Sequence, residues 1–172
     1  LRPLDLTFAR YEALVLLAQV LLARGDAKAA AELMAPAAAT LELTGYSWGP
    51  LSLMYLATAL AQLGEVAASA MALSRAQSRH GTKSALFAPE LGVARAWRLA
   101  TIGDTHAAVA AARDAARTAE RTGQDAVAVW AWHQAALLGD TRAADGLAKL
   151  AKTVDCAFTR AAVEQAQSGS HG

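Results

Sequence analysis

The chain has 172 residues, 16 basic against 15 acidic, for a formal net charge of +1. This lacks the basic excess of a nucleic-acid-binding surface, so no direct nucleic-acid contact is expected. The 55% hydrophobic content and mean hydropathy of +0.23 come from 46 alanines; the longest strongly apolar run, Ala13–Ala23, is interrupted by Gln19 and falls short of the roughly 20 residues that cross a bilayer.

Helix formers dominate throughout, and no stretch shows the β-branched alternation of a strand. A first helix is expected from about Leu6 to Arg24 and a second from about Ala27 to Thr44, stopped by Gly45. Pro36 lies inside the second, predicting a kink or a late start. A second pair spans about Pro50–Leu63 and Val66–His80, stopped by Gly81; a third, about Pro89–Ile102 and Thr105–Thr122, stopped by Gly123. Pro50 and Pro89 sit in first turns, where a missing N–H costs nothing. The fourth pair spans about Asp125–Leu138 and Thr141–Val154, and a closing helix about Ala157–Gln167. The tail 168–172 is expected to be disordered.

A Gly-acid step punctuates these elements four times: Gly25-Asp26, Gly64-Glu65, Gly103-Asp104 and Gly139-Asp140, at intervals of 39, 39 and 36 residues. Each glycine supplies the left-handed conformation that ends a helix, and each acid is placed to cap the next one. With the steps aligned, three columns are nearly all small: Ala18, Ala57, Ala96 and Trp132; Ala30, Ser69, Ala108 and Ala144; Ala37, Ala76, Ala115 and Ala151. A fourth holds Leu21, Leu60, Leu99 and Ala135. Small residues let two helices approach closely. A helix pair cannot bury its apolar face alone, so the units are expected to stack. The predicted fold is all-α: four antiparallel helix pairs (about 6–45, 50–81, 89–123 and 125–155) and a closing helix (157–167), in a single domain over 1–167.

The pattern is similar to the tetratricopeptide repeat, with a period of 39 in place of 34 and without that family's signature Trp, Tyr and Pro positions. The segments LLARGDAKAAAELMAPAAATLELTGYSWGPLSLMYLATALAQLGE, FAPELGVARAWRLATIGDTHAAVAAARDAAR and LLGDTRAADGLAKLAKTVDC resemble the helical-repeat region of large LuxR-family, MalT-like transcriptional regulators of actinobacteria. In that family an ATP-binding domain precedes the repeats and a DNA-binding helix-turn-helix follows them. The resemblance implies a sensor or interaction region without chemistry of its own. The chain begins at Leu1 and not at Met, as a segment of a longer protein would.

The sequence offers little to catalysis. His80-Gly81-Thr82-Lys83-Ser84 is the nearest string to a phosphate-binding loop, but it lacks the second glycine and a preceding strand. His80, His106, His133 and His171 show no metal-ligand spacing. Cys156 excludes an intrachain disulfide, fits a reducing compartment, and reads as a buried or half-buried bystander. Capping explains Asp26, Glu65, Asp104 and Asp140. Arg75, Arg79, Lys83, Arg95 and Arg98 are expected on different helix faces, in solvent. No catalytic residue, metal or cofactor is expected, and the location is expected to be cytoplasmic.

The groove of the tetratricopeptide repeat suggests binding positions. Six residues before each glycine lie Gln19, Thr58, Trp97 and His133; further back come Val15, Met54, Val93 and Val129, then Glu12, Leu51, Glu90 and Ala126. From these columns Glu12, Gln19, Met54, Thr58, Glu90, Trp97 and His133 are the candidate ligand or partner contacts. A protein, a peptide or a small effector is the expected occupant. Tyr46, Ser47 and Trp48, between Gly45 and Gly49, are read as a loop whose Trp anchors a partner or folds back. The rival expectation is an adaptor or self-association module, a homodimer through its terminal helices. An apolar outer face on the closing helix would mark that interface.

Overall fold

In a computed structural model of the chain, residues 3–169 are described, with side chains from residue 9 onward. The described residues form nine α-helices and one short 3₁₀ segment, without strands. They are α1 (Pro3–Ala23), α2 (Ala27–Glu42), α3 (Trp48–Gln62), α4 (Val66–Arg79), the 3₁₀ turn Thr82–Phe87, α5 (Ala88–Thr101), α6 (Thr105–Arg121), α7 (Asp125–Leu137), α8 (Ala143–Leu150) and α9 (Ala157–Gly169). No helix is long and apolar enough to cross a membrane, among the described residues. The chain divides into two compact units, Leu1–Phe87 and Ala88–Gly172.

The helix ends follow one backbone rule. At Gly25, Gly64, Gly103 and Gly139 the φ angle is positive, between 77° and 93°. The following acid's N–H bonds five residues back, to the carbonyls of Leu21, Leu60, Leu99 and Ala135, at 2.9, 2.9, 3.1 and 2.9 Å. The glycine N–H bonds three residues back in each case. Together these two bonds make the Schellman turn. Gly123-Gln124 makes the same turn without an acid: Gln124 N–H reaches the Ala119 carbonyl at 2.9 Å. The motif is therefore broader than its Gly-acid spelling. Gly81 departs from the expected pattern: α4 leaves through an extended His80 (ψ 125°), and the chain turns into the 3₁₀ segment.

Side chains at these turns differ. Asp26 and Asp104 accept from the backbone N–H of Ala29 and Ala107, each at 3.0 Å. Glu65 makes no such bond; its extra methylene carries the carboxylate past the N–H groups. Asp140 takes the Arg142 N–H at 2.9 Å. That bond holds residues 141–142 in a turn, which is why α8 starts at Ala143 and not at Thr141.

In the first unit α3 packs against α1, α2, α4 and the 3₁₀ segment. Its sequence is apolar all round, and a helix of that kind needs neighbours on several sides; Gly49 to Ala59 are buried without a break. In the second unit α7 holds the same position, packed against α5, α6, α8 and α9, with Ala128 to Ala135 buried. Of the twelve members of the small columns all but Ala144 and Ala151 are buried, and those two are half-buried. Gly92 adds a close approach of α5 to α6, since a Cβ there would stand 2.7 Å from Ala115 Cβ.

Several expectations need correction. Of the two outcomes expected from Pro36, the late start does not occur: α2 starts at Ala27 and carries Pro36 inside it. Trp48 is the first residue of α3, not a loop residue, and its ring meets Phe87 edge-on at 6.1 Å. Arg75 and Arg79 share a helix face, one turn apart, and converge on Glu42. Cys156 is exposed, just ahead of α9, with its Sγ 3.2 Å from Thr159 Oγ1. α9 runs to Gly169, past Gln167; the rest of the expected disordered tail and His171 lie outside the described residues.

Candidate functional site

The seven candidate contacts fall four in the first unit and three in the second. In the first, Glu12 and Gln19 are half-buried on α1, and Glu12 Oε1 accepts a hydrogen bond from the Tyr46 hydroxyl. That bond, with burial and the Glu12 charge, raises the Tyr46 pKa. Met54 and Thr58 are 0% exposed, and the Thr58 hydroxyl is satisfied by the Met54 carbonyl at 2.9 Å. The whole column Val15, Met54, Val93 and Val129 is buried. Met54 and Thr58 thus present no surface to a ligand. The sequence register located one face of each first helix, and packing uses that face.

In the second unit Trp97 and His133 belong to one polar chain. Trp97 on α5 is half-buried and its Nε1–H donates to Gln134 Oε1 at 2.8 Å. Gln134 Nε2 stands 3.5 Å from His133 Nδ1, and His133 Nε2 is 3.0 Å from Gln165 Oε1 on α9. An indole N–H can only donate, which fixes the orientation of the Gln134 amide and turns its NH₂ toward the imidazole. His133 Nδ1 is then placed to accept, which favours the tautomer with its proton on Nε2, facing Gln165 Oε1. Burial lowers the His133 pKa, opposed by the Gln165 bond. Phe158 meets the ring edge-on at 5.2 Å. The arrangement holds a neutral, oriented imidazole between α5, α7 and α9. Sequence reasoning placed Trp97 and His133 in one column but missed Gln134 and Gln165, which bond Trp97 and His133 across 37 and 32 residues of chain.

Glu90, in the first turn of α5, is 4% exposed, and its Oε2 has no hydrogen-bond partner. A helix N-terminus ordinarily favours a carboxylate. Burial overrides this and pushes the pKa to about 7. The buried carboxyl thus holds its proton to a higher pH than an exposed glutamate does.

The other buried charge in this unit is Asp140, whose side chain is 0% exposed. Arg113 grips it with two bonds, Nε to Oδ2 at 2.8 Å and Nη2 to Oδ1 at 2.7 Å. Burial works to raise this carboxyl, but the Arg113 fork, the Arg142 N–H and both cations outweigh it and lower the pKa. Among the described residues no group of three or more His, Cys, Asp or Glu could hold a metal ion.

Comparison of the chain with protein-family profiles, curated proteins and solved structures gives no match.

Proposed function

We propose that this chain is a non-catalytic binding region built of four tetratricopeptide-like helix pairs and a closing helix, from a LuxR-family, MalT-like transcriptional regulator. In that role it takes up a protein, a peptide or a small effector and passes the event on by favouring one arrangement of the attached domains. The reading rests on one observation, the fourfold Schellman turn with its small columns. A repeat of that kind builds extended surfaces whose ligands vary while the frame does not. DNA contact by the parent belongs to another domain.

Native mass spectrometry of the chain tests the reading. Retained mass of defined value, released by partial denaturation, supports it. An apo chain that takes up no ligand and no partner segment of its parent protein would sink it.

The rival reading, self-association, is favoured by α1 rather than α9. On α9 the outward residues include Arg160, Glu164, Gln165 and Gln167, the polar face of a cap, with Ala161 among them. On α1, Leu16, Leu17 and Val20 are exposed along one stripe. A dimer in the same spectrum, lost on changing Leu16 and Val20 to Glu, would establish it.

A further inference from the structure

Two stretches with separate histories in the sequence, Gly45–Gly49 and Gly81–Ser84, come together in the first unit. They wall a cleft of about 520 Å³, closed by Leu41, Glu42, Pro50 and Arg79. That volume lies within the usual range of sites for small organic ligands. The first stretch runs from the α2–α3 link into the first turn of α3, and the second runs from the α4–α5 link into the 3₁₀ turn; links on a rigid frame are where function is commonly carried.

The charges around the cleft do not balance. Glu42 is the only acid in its wall among the described residues, and Glu12, on the Tyr46 hydroxyl, stands behind the wall and counts against the cations. The Glu42 carboxylate is already held by two guanidinium groups: Arg75 donates from Nε at 3.1 Å and from Nη2, and Arg79 donates from Nε at 2.7 Å. Two cations on one anion leave a positive charge over. Lys83, exposed at the mouth, pairs with no carboxylate among the described residues and adds a second. Ser47 also lines the cleft and makes no capping bond to α3. Tyr46, Leu41 and Pro50 supply apolar surface beside these polar groups.

We propose that this cleft binds a small organic anion, its carboxylate or phosphate group between Arg79 and Lys83 and its carbon skeleton against Leu41, Tyr46 and Pro50. The site is no nucleotide loop. Helix α4 precedes the glycine where a strand would stand, and Ser84 is committed to Gly81 and His80 at 3.1 Å each. The proposal rests on the reading of the chain as a binding region and gives that reading a location.

The test is a ¹H–¹⁵N titration of the full chain with sodium phosphate and, separately, sodium succinate, at ionic strength held constant with sodium chloride. The amides of residues 45–49 and 81–84 are expected to shift and saturate in the millimolar range. Saturation with phosphate alone assigns a phosphate ligand, with succinate alone a carboxylate, and either supports the cleft. Lys83→Ala should weaken binding about threefold to tenfold, the range of one charged contact at a partly exposed site, and Lys83→Glu should abolish it. Lys83 is exposed, so both variants should keep the parent's melting temperature. Linear shifts with both salts, equal saturation in Lys83→Glu, or shifts centred on Arg142 and Lys149 would overturn the proposal. A natural ligand retained in native mass spectra by Lys83→Glu would remove the cleft and leave the binding-region reading intact. Saturable phosphate binding by a chain that retains no effector would do the reverse.

Discussion

Gly146 lies directly under the Trp132 indole: a Cβ built on the glycine would stand 2.6 Å from the ring carbon Cε2. Trp132 occupies the column that Ala18, Ala57 and Ala96 fill in the other repeats. The fourth pair thus carries a large residue in a small slot, and α8 supplies the room by having no side chain opposite. The ring is further held by Glu120, whose Oε1 accepts from Nε1 at 2.7 Å while its Oε2 takes Lys149 Nζ at 2.7 Å.

Gly146→Ala should therefore destabilise the chain by about 1–3 kcal/mol through overpacking, although alanine is the better helix former. Trp132→Ala should cost about 3–5 kcal/mol by leaving a cavity. Combined, the two should cost clearly less than their sum. Urea melts of the four proteins measure this, and strict additivity would disprove the pairing.

Glu90 gives the stability a sign on the alkaline side. Its folded pKa of about 7 exceeds the ordinary 4.5. Stability is thus fully present below pH 4.5 and lost as pH rises through 7, by roughly 3 kcal/mol in all. Glu90→Gln should flatten that fall. Thermal melts at pH 5 and pH 8 decide the matter: the variant should gain on the parent at pH 8 relative to pH 5.

Asp140 acts in the opposite direction. Its folded pKa is lowered from 3.8, so its contribution is present above that value and lost as pH falls through the folded one. Asp140→Asn leaves Arg113 facing a neutral amide in a largely buried site, at a cost of about 2–4 kcal/mol. Melting curves at pH 7 should show the loss in full. At pH 2 the gap between variant and parent should narrow.

His133 should be neutral in the Nε2–H form, with ¹⁵N shifts that show it and a pKa below the ordinary 6.5. Trp97→Phe keeps the ring but removes the donor that orients Gln134. The amide is then free to turn, and the Nδ1–H form should become populated at a cost of about 1 kcal/mol in stability. An unchanged tautomer in the variant would show that Gln134 is oriented by something else.

Glu65→Asp should stabilise the chain by about 0.5–1 kcal/mol. The shorter acid can reach the Ala68 N–H, as Asp26 reaches Ala29 and Asp104 reaches Ala107. Chemical denaturation of the single variant is sufficient to check it.

Much of the fold was legible because its signals are local. Glycine placement marks the turns, and all nine helices start within three residues of their expected positions. α8 shows what local signals leave out: its start, two residues late, goes with the Asp140 bond to the Arg142 N–H, and the Arg113 partner of Asp140 lies 27 residues earlier. The 3₁₀ turn Thr82–Phe87 carried no periodic signal at all. The candidate contacts were less legible for a different reason. A column of residues defines a face, and whether that face is lined or packed depends on what other helices bring to it. Met54 and Thr58 illustrate the packed case, while Trp97 and His133 found partners in Gln134 and Gln165 that no spacing announced.

The five Schellman turns carry a consequence for how such a chain changes over time. Their hydrogen bonds are all made within six consecutive residues, so the joint is indifferent to what the following helix packs against. Helix pairs joined this way can be duplicated, deleted or exchanged without redesigning the hinge, and the side chain after the glycine is released for other work. Asp140 is a case of that release: the backbone position that caps a helix elsewhere has become a buried ionic lock. An array of such joints can vary in length by whole pairs while each turn keeps its form.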